Sequence, residues 1–252
     1  MINMTKMDLG RTMLFFGIPG FLMYLGVYFV QPFLAEMGVP AILSWPLLIW
    51  GPVIILFLLV TYPFLSNSTN EKFSRRFRFR KPSQKQWGVI VVGFLGIQIL
   101  ELLLSPSGAF LSRYAVFAIP ANIPELFNPH FQIESGLTTL FGVPLQGKWW
   151  MIGFWLGWLL INIGCEEVLW RGYALPLQEK YFGKYAWLVN GLSWNLLIHF
   201  FMRWNVITLM PISLMIPYLV QKHENTWIGV ALHGAGNTLV FILIIPGILG
   251  ST

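Results

Sequence analysis

Seven runs of apolar residues, at 12–33, 42–65, 87–104, 149–172, 185–202, 206–220 and 227–245, constrain this chain more than any other feature. A helix needs roughly 20 apolar residues to cross a hydrocarbon core about 30 Å thick. Inside lipid every backbone N–H and C=O must be satisfied within the protein, which a helix does by itself. The runs therefore predict an all-α, polytopic integral membrane protein of about seven transmembrane helices. Composition agrees, because 56% of the residues are hydrophobic and 10% are charged, against about 25% charged in a soluble domain. Too little polar surface remains to cover a water-soluble globule. The first run follows Lys6 and Arg11, but it exceeds the ~7–15 apolar residues of a signal peptide. It is expected to be an uncleaved first helix.

The stretch 67–86 holds seven lysines and arginines (Lys72, Arg75, Arg76, Arg78, Arg80, Lys81, Lys85) against one acid, Glu71. The excess of positive charge on cytoplasmic loops places this loop, and by alternation the N-terminus, on the inner side. Only Arg113, Lys148 and Arg203 of the 16 basic residues then fall outside. The net charge of +6 reads as contact with anionic lipid at loop 67–86 rather than as a nucleic-acid surface. The sequon Asn67-Ser68-Thr69 lies in the same loop and is discounted as a glycosylation site on that side. Cys165 is the one cysteine, which excludes an internal disulfide and a multi-cysteine metal site; it reads as a small buried hydrophobe. The stretch 105–148 is rich in proline and poor in charge, and its fold is not legible. Residues 1–147 are expected to supply N-terminal helices and variable loops, and 148–252 a catalytic helical core, within one membrane domain.

Ionisable side chains inside a membrane helix cost roughly 2.5–3.5 kcal/mol each on insertion scales, so they mark function or tight pairing. Here they are Glu101, Glu166, Glu167, Arg171, His199 and His233, with Asn162, Asn195 and Asn237 beside them. Glu167 and Arg171 stand four apart with the acid first, the favourable helical spacing for an ion pair. Glu166 is rotated about 100° from Glu167, so the two acids are expected to take different roles, with Asn162 one turn before Glu166 on its face. His233 and Asn237 share a helix face, and Asn195 precedes His199 by one turn. Helical rises of 1.5 Å per residue bring Glu166, His199, His233 and Asn237 to similar depth. A carboxylate and an imidazole can activate water, while a second imidazole and an amide can stabilise an oxyanion. The alternative is zinc held by Glu166, His199 and His233, against which Asn237 counts as a poor zinc ligand.

Glu166-Glu167-x-x-x-Arg171, then His199 in a later helix, then His233-x-x-x-Asn237 resembles the CPBP intramembrane proteases. That family includes type II CAAX prenyl endopeptidases and ABI-like bacterial proteins linked to bacteriocin processing and immunity. The resemblance covers about residues 148–245. It implies a glutamate-type intramembrane endopeptidase, in a bacterial plasma membrane, acting on a membrane-associated or lipidated peptide. Glu166 and His199 would activate water, His233 and Asn237 would form the oxyanion site, and Glu167 and Arg171 would support them. One departure is Asn195, where the family usually has phenylalanine; its amide could orient His199 or mark lost activity. Two other readings remain open: a non-catalytic immunity or scaffold protein, and a proton-linked transporter, although no repeat symmetry is visible.

Overall fold

A computed structural model describes residues 6–66, 72–120, 123–131 and 137–250. The chain is all-helical apart from one small hairpin. Helix α1 (Leu9–Leu25) starts where Asp8 accepts a hydrogen bond from the Arg11 amide at 2.9 Å. It runs through a π-helical stretch, Gly26–Val30, into α2 (Gln31–Glu36). Pro32 has no N–H to offer the carbonyl four residues back, and the turn ahead of it widens. Helix α3 (Ala41–Leu65) continues as one helix through Pro46, Pro52 and Pro63, although each proline leaves out one backbone donor. A short α4 (Phe73–Arg76) leads to α5 (Gln84–Leu104), whose start is closed by a capping box between Ser83 and Gln86.

The stretch that resisted sequence reading contains α6 (Pro106–Leu111), two single 3₁₀ turns and an antiparallel hairpin, β1 (Thr139–Leu140) with β2 (Val143–Pro144). Phe141 (φ 48°) and Gly142 (φ 74°) form its two-residue turn, and left-handed backbone at both central positions is what a type I′ hairpin turn requires.

Helix α7 (Trp150–Glu167) continues through a second π-helical stretch, Val168–Ala174, into α8 (Leu175–Phe182). Pro176 stands two residues past the π stretch, just as Pro32 does, so the same missing donor accounts for both. Gly183, at φ 56°, ends this arm. Helix α9 (Ala186–Leu196) then runs back along it: Asn190 bonds the Trp170 carbonyl and Gln178, and Trp194 reaches Glu166. The chain next loosens into a 3₁₀ segment, Ile198–Asn205, with non-helical angles at His199 and Met202. Helices α10 (Met210–His223), α11 (Thr226–Thr238) and α12 (Phe241–Leu249) complete the bundle.

Five helical stretches among the described residues are long and apolar enough to cross a membrane: Leu9–Glu36, Ala41–Leu65, Gln84–Leu111, Trp150–Leu196 and Thr226–Leu249. The expected count of seven is not reproduced by these five stretches, one of which, Trp150–Leu196, is 47 residues long. The run at 185–202 leaves the helix at Leu196, and that at 206–220 becomes the 14-residue α10. At 1.5 Å per residue, the 11 and 14 residues of α9 and α10 reach only about 16 and 21 Å. Apolar side chains such as Leu59, Val92 and Leu160 point outward, as lipid contact requires.

The basic stretch is partly built into the fold. Arg78 makes a two-pronged bond with Glu179 of α8, 2.7 Å on each prong, and Thr226 bonds the Phe77 carbonyl. Phe77 is fully buried against Phe64, Phe73 and Tyr173. The sequon Asn67-Ser68-Thr69 and Glu71 lie outside the described residues. The N-terminal helices also close on the predicted core: a side chain at Gly20 of α1 would collide with the Leu197 carbonyl. Gly20→Val should push α1 off this contact and destabilise the protein by about 1–3 kcal/mol, read as a lower thermal midpoint in detergent. An unchanged midpoint would show that α1 does not pack there.

Candidate active site

Glu166 and Glu167 sit in the last turn of α7, buried to 3% and 0% exposure, and they do face different partners. Glu167 Oε1 is 3.3 Å from Arg171 Nη1 and 3.0 Å from His233 Nδ1. The four-residue spacing thus forms the expected ion pair, and the same oxygen also holds the histidine of α11. A carboxylate only accepts, so the His233 proton facing it lies on Nδ1. Helix α11 comes this close because residue 229 is glycine, where any side chain would strike Glu167 Oε2. Arg171, in the second π stretch and also fully buried, lays its guanidinium over the Trp194 ring at 4.2 Å.

Glu166 instead accepts two indole N–H groups on one oxygen: Trp194 Nε1 at 2.8 Å and Trp170 Nε1 at 3.3 Å, both to Oε2. Trp170 is pinned by stacking on Phe16 of α1, with centroids 4.6 Å apart. Asn162, one turn earlier, is buried as well.

His199 lies just past α9, in the 3₁₀ segment rather than in a continuous helix. Its Nδ1 faces the Trp194 carbonyl at 3.1 Å. That carbonyl is among the last four of α9, which have no partner within the helix. A carbonyl only accepts, so Nδ1 carries the proton and Nε2 of the neutral ring is left as an acceptor. The Trp194 ring meets His199 and His233 edge-on, at 4.7 and 5.3 Å between centroids. One tryptophan therefore touches Glu166, Arg171 and both histidines.

Through Trp194 the structure gathers Glu166, Arg171, His199 and His233, and Glu167 joins Arg171 to His233. Asn237 follows His233 on α11, and its Nδ2 donates to the His233 carbonyl at 3.1 Å, leaving the second amide hydrogen uncommitted. Asn195 does not orient the His199 ring. Its amide donates to the Val206 carbonyl at 3.0 Å and contacts the Met210 sulfur, fastening the loosened segment to the start of α10. Glu101, in α5, accepts from Gln98 at 3.2 Å, and α5 packs on α11. Cys165 is a free, buried thiol.

Sequence reasoning missed Trp194 and Trp170. The available signal was weak: Trp170 is four residues after Glu166 and Trp194 five before His199, but in a chain with 12 tryptophans the ordinary assignment is packing or a lipid interface.

Among the described residues no three His, Cys, Asp or Glu side chains converge as metal ligands. His233 Nδ1 is turned to Glu167, and Glu166 Oε2 to two indoles.

Two carboxylates, two imidazoles and a guanidinium thus lie close together inside an all-helical membrane protein. Residues 148–239 match the family model described as type II CAAX prenyl endopeptidase Rce1-like. The matched segment begins at α7, ends with α11, and contains all of Glu166, Glu167, Arg171, His199, His233 and Asn237. Comparison with curated proteins and with solved structures returned no match.

Removing one member of a buried ion pair strands the other charge and costs about 3–5 kcal/mol. Glu167→Gln should therefore lower the thermal midpoint sharply, whereas Glu167→Leu combined with Arg171→Met should recover much of the loss. Equal stability of Glu167→Gln and wild type would show that the pair is not buried as described.

Proposed function

We propose that this protein is an intramembrane endopeptidase that hydrolyses a peptide bond in a membrane-associated or lipidated substrate, with water activated by Glu166 and His199 and without a metal. The observation that carries this reading is a buried carboxylate, Glu166, which has no cation bonded to it among the described residues. Its neighbour Glu167 takes both Arg171 and His233. An acid kept apart from the local ion pair is suited to accept a proton.

In this mechanism water is held between Glu166 and His199 Nε2. The water oxygen attacks the scissile carbonyl as its proton passes to Glu166. The oxyanion is met by the free amide hydrogen of Asn237 and by the ring of His233, which Glu167 holds at Nδ1. Such donors, aimed in advance at a developing charge in a water-poor site, are typically worth about 10²–10³ in rate each. The C–N bond then breaks as Glu166 returns the proton to the leaving nitrogen. The products are a carboxylate and an amine.

The basic stretch 67–86 supports an inner-leaflet position for that end of the bundle, in a plasma membrane of bacterial type, with anionic lipid against its lysines and arginines. The match to a family of prenyl endopeptidases supports a lipid-bearing substrate, and the outward apolar surface leaves lateral entry from the bilayer open.

Glu166→Gln keeps the size and hydrogen-bond acceptance of the side chain and removes its basicity. It should leave the protein folded and lower cleavage by about 10²–10⁴-fold, measured on purified protein in lipid nanodiscs. Retained activity overturns the assignment. Wild-type protein stripped with a chelator and verified metal-free should cleave at its full rate; loss restored by zinc would contradict the metal-free mechanism. Asn237→Ala should cost about 10²–10³-fold in kcat, and a rate within a few-fold of wild type would remove Asn237 from the oxyanion site.

A further inference from the structure

Trp194 and Trp170 place their only hydrogen-bond donors on the same oxygen of the same carboxylate. A buried indole commonly finds some partner for its N–H, so one such bond would be ordinary. Two features make this pair different. This chain leaves other buried indoles without partners: among the described residues, Trp155 Nε1 and Trp204 Nε1 have none. The two donors also converge on Glu166 Oε2 from different helical stretches, one from the π segment after α7 and one from α9, and leave Oε1 without either.

We infer that Trp194, assisted by Trp170, is the positioning residue of the water-activating carboxylate: the two indoles commit Oε2 and so designate Oε1 as the oxygen that takes the proton. This rests on the reading of Glu166 as the base. The terminal torsion of a glutamate is broad and nearly two-fold, so its oxygens ordinarily exchange roles. Two rigid donors on one oxygen remove that degeneracy. Neither donor can rotate away, since Trp170 is stacked on Phe16 at 4.6 Å and edged by Phe15 at 5.7 Å, and Trp194 is held over Arg171 at 4.2 Å. Trp194 also sets the second water-activating group. Its side chain holds Glu166 and its main-chain carbonyl holds His199 Nδ1, so the base and the imidazole are referred to one residue. An aliphatic or phenyl side chain at 194 would keep the main-chain carbonyl but offer Glu166 no donor.

Trp194→Phe keeps the ring over Arg171 and removes the N–H. A hydrogen bond to a charged group is worth about 1.5–3 kcal/mol, which is about 10- to 150-fold in rate. The variant should therefore lose about 10- to 100-fold in kcat per folded molecule, with KM within about two-fold, on a peptide that wild type cleaves. Trp170→Phe, removing the longer bond, should lose less. A residue that only packs would lower the yield of folded protein and leave kcat unchanged, and that result overturns the inference. A second measurement does not depend on turnover. Thermal midpoints of Trp194→Phe, Glu166→Leu and the double variant should be non-additive, the second change costing little once the first is made; additive losses overturn the contact itself. If wild type and Glu166→Gln cleave nothing, the reading of Glu166 as the base fails and takes the inference with it. If they differ while Trp194→Phe matches wild type, only the inference fails.

Discussion

The bundle is organised around one buried charge problem. Arg171 is fully buried within a membrane helix, and a lone guanidinium there is intolerable. Glu167 answers it one helical turn away, and His233 closes on the same carboxylate from α11. Other features follow from keeping those three groups in contact. Gly229 lets α11 approach α7, and Trp194 of α9 covers the guanidinium face. Once Arg171 and Glu167 are matched, Glu166, about 100° further round the helix, is left with two neutral donors. Adjacent residues of one helix thereby take different partners.

Irregular backbone positions these groups. A proline two residues past each π stretch withholds a donor, and the helix widens ahead of it. The second stretch carries Trp170 and Arg171, so the widening decides how these two side chains fan out from the acids. The end of α9 works differently. Release from the helix frees the Trp194 carbonyl for His199, and Asn195 anchors the released segment to Val206. Backbone of this kind is tolerated at membrane depth where protein covers it, and α1 does so through the close approach at Gly20. A segment outside the family match is therefore part of the site's wall.

The local geometry was legible because it depends on helix periodicity alone. Four-residue spacing announced the Glu167–Arg171 pair, and one-residue spacing announced that Glu166 must face elsewhere. Class and fold followed from the apolar runs. What was not legible depended on where apolar runs stop being helical. Nothing in the run 185–202 announces that the chain leaves α9 at Leu196, so two short helices read as full spans. The partner of Asn195 was hidden for the same reason, since Val206 comes within reach only once the helix has ended. Trp194 and Trp170 stayed hidden because tryptophan in a membrane chain has ordinary uses, and only the tertiary fold shows their donors meeting at Glu166.

The central claim is that Glu166 cleaves peptide bonds in the membrane. Its most direct test compares membranes from cells making equal amounts of wild type or Glu166→Gln, with mass spectrometry of new peptide termini in membrane proteins. The account predicts termini present with wild type and missing with Glu166→Gln, clustered in or beside membrane-embedded or lipid-bearing segments. Identical sets of termini from the two, across several growth conditions, would contradict it.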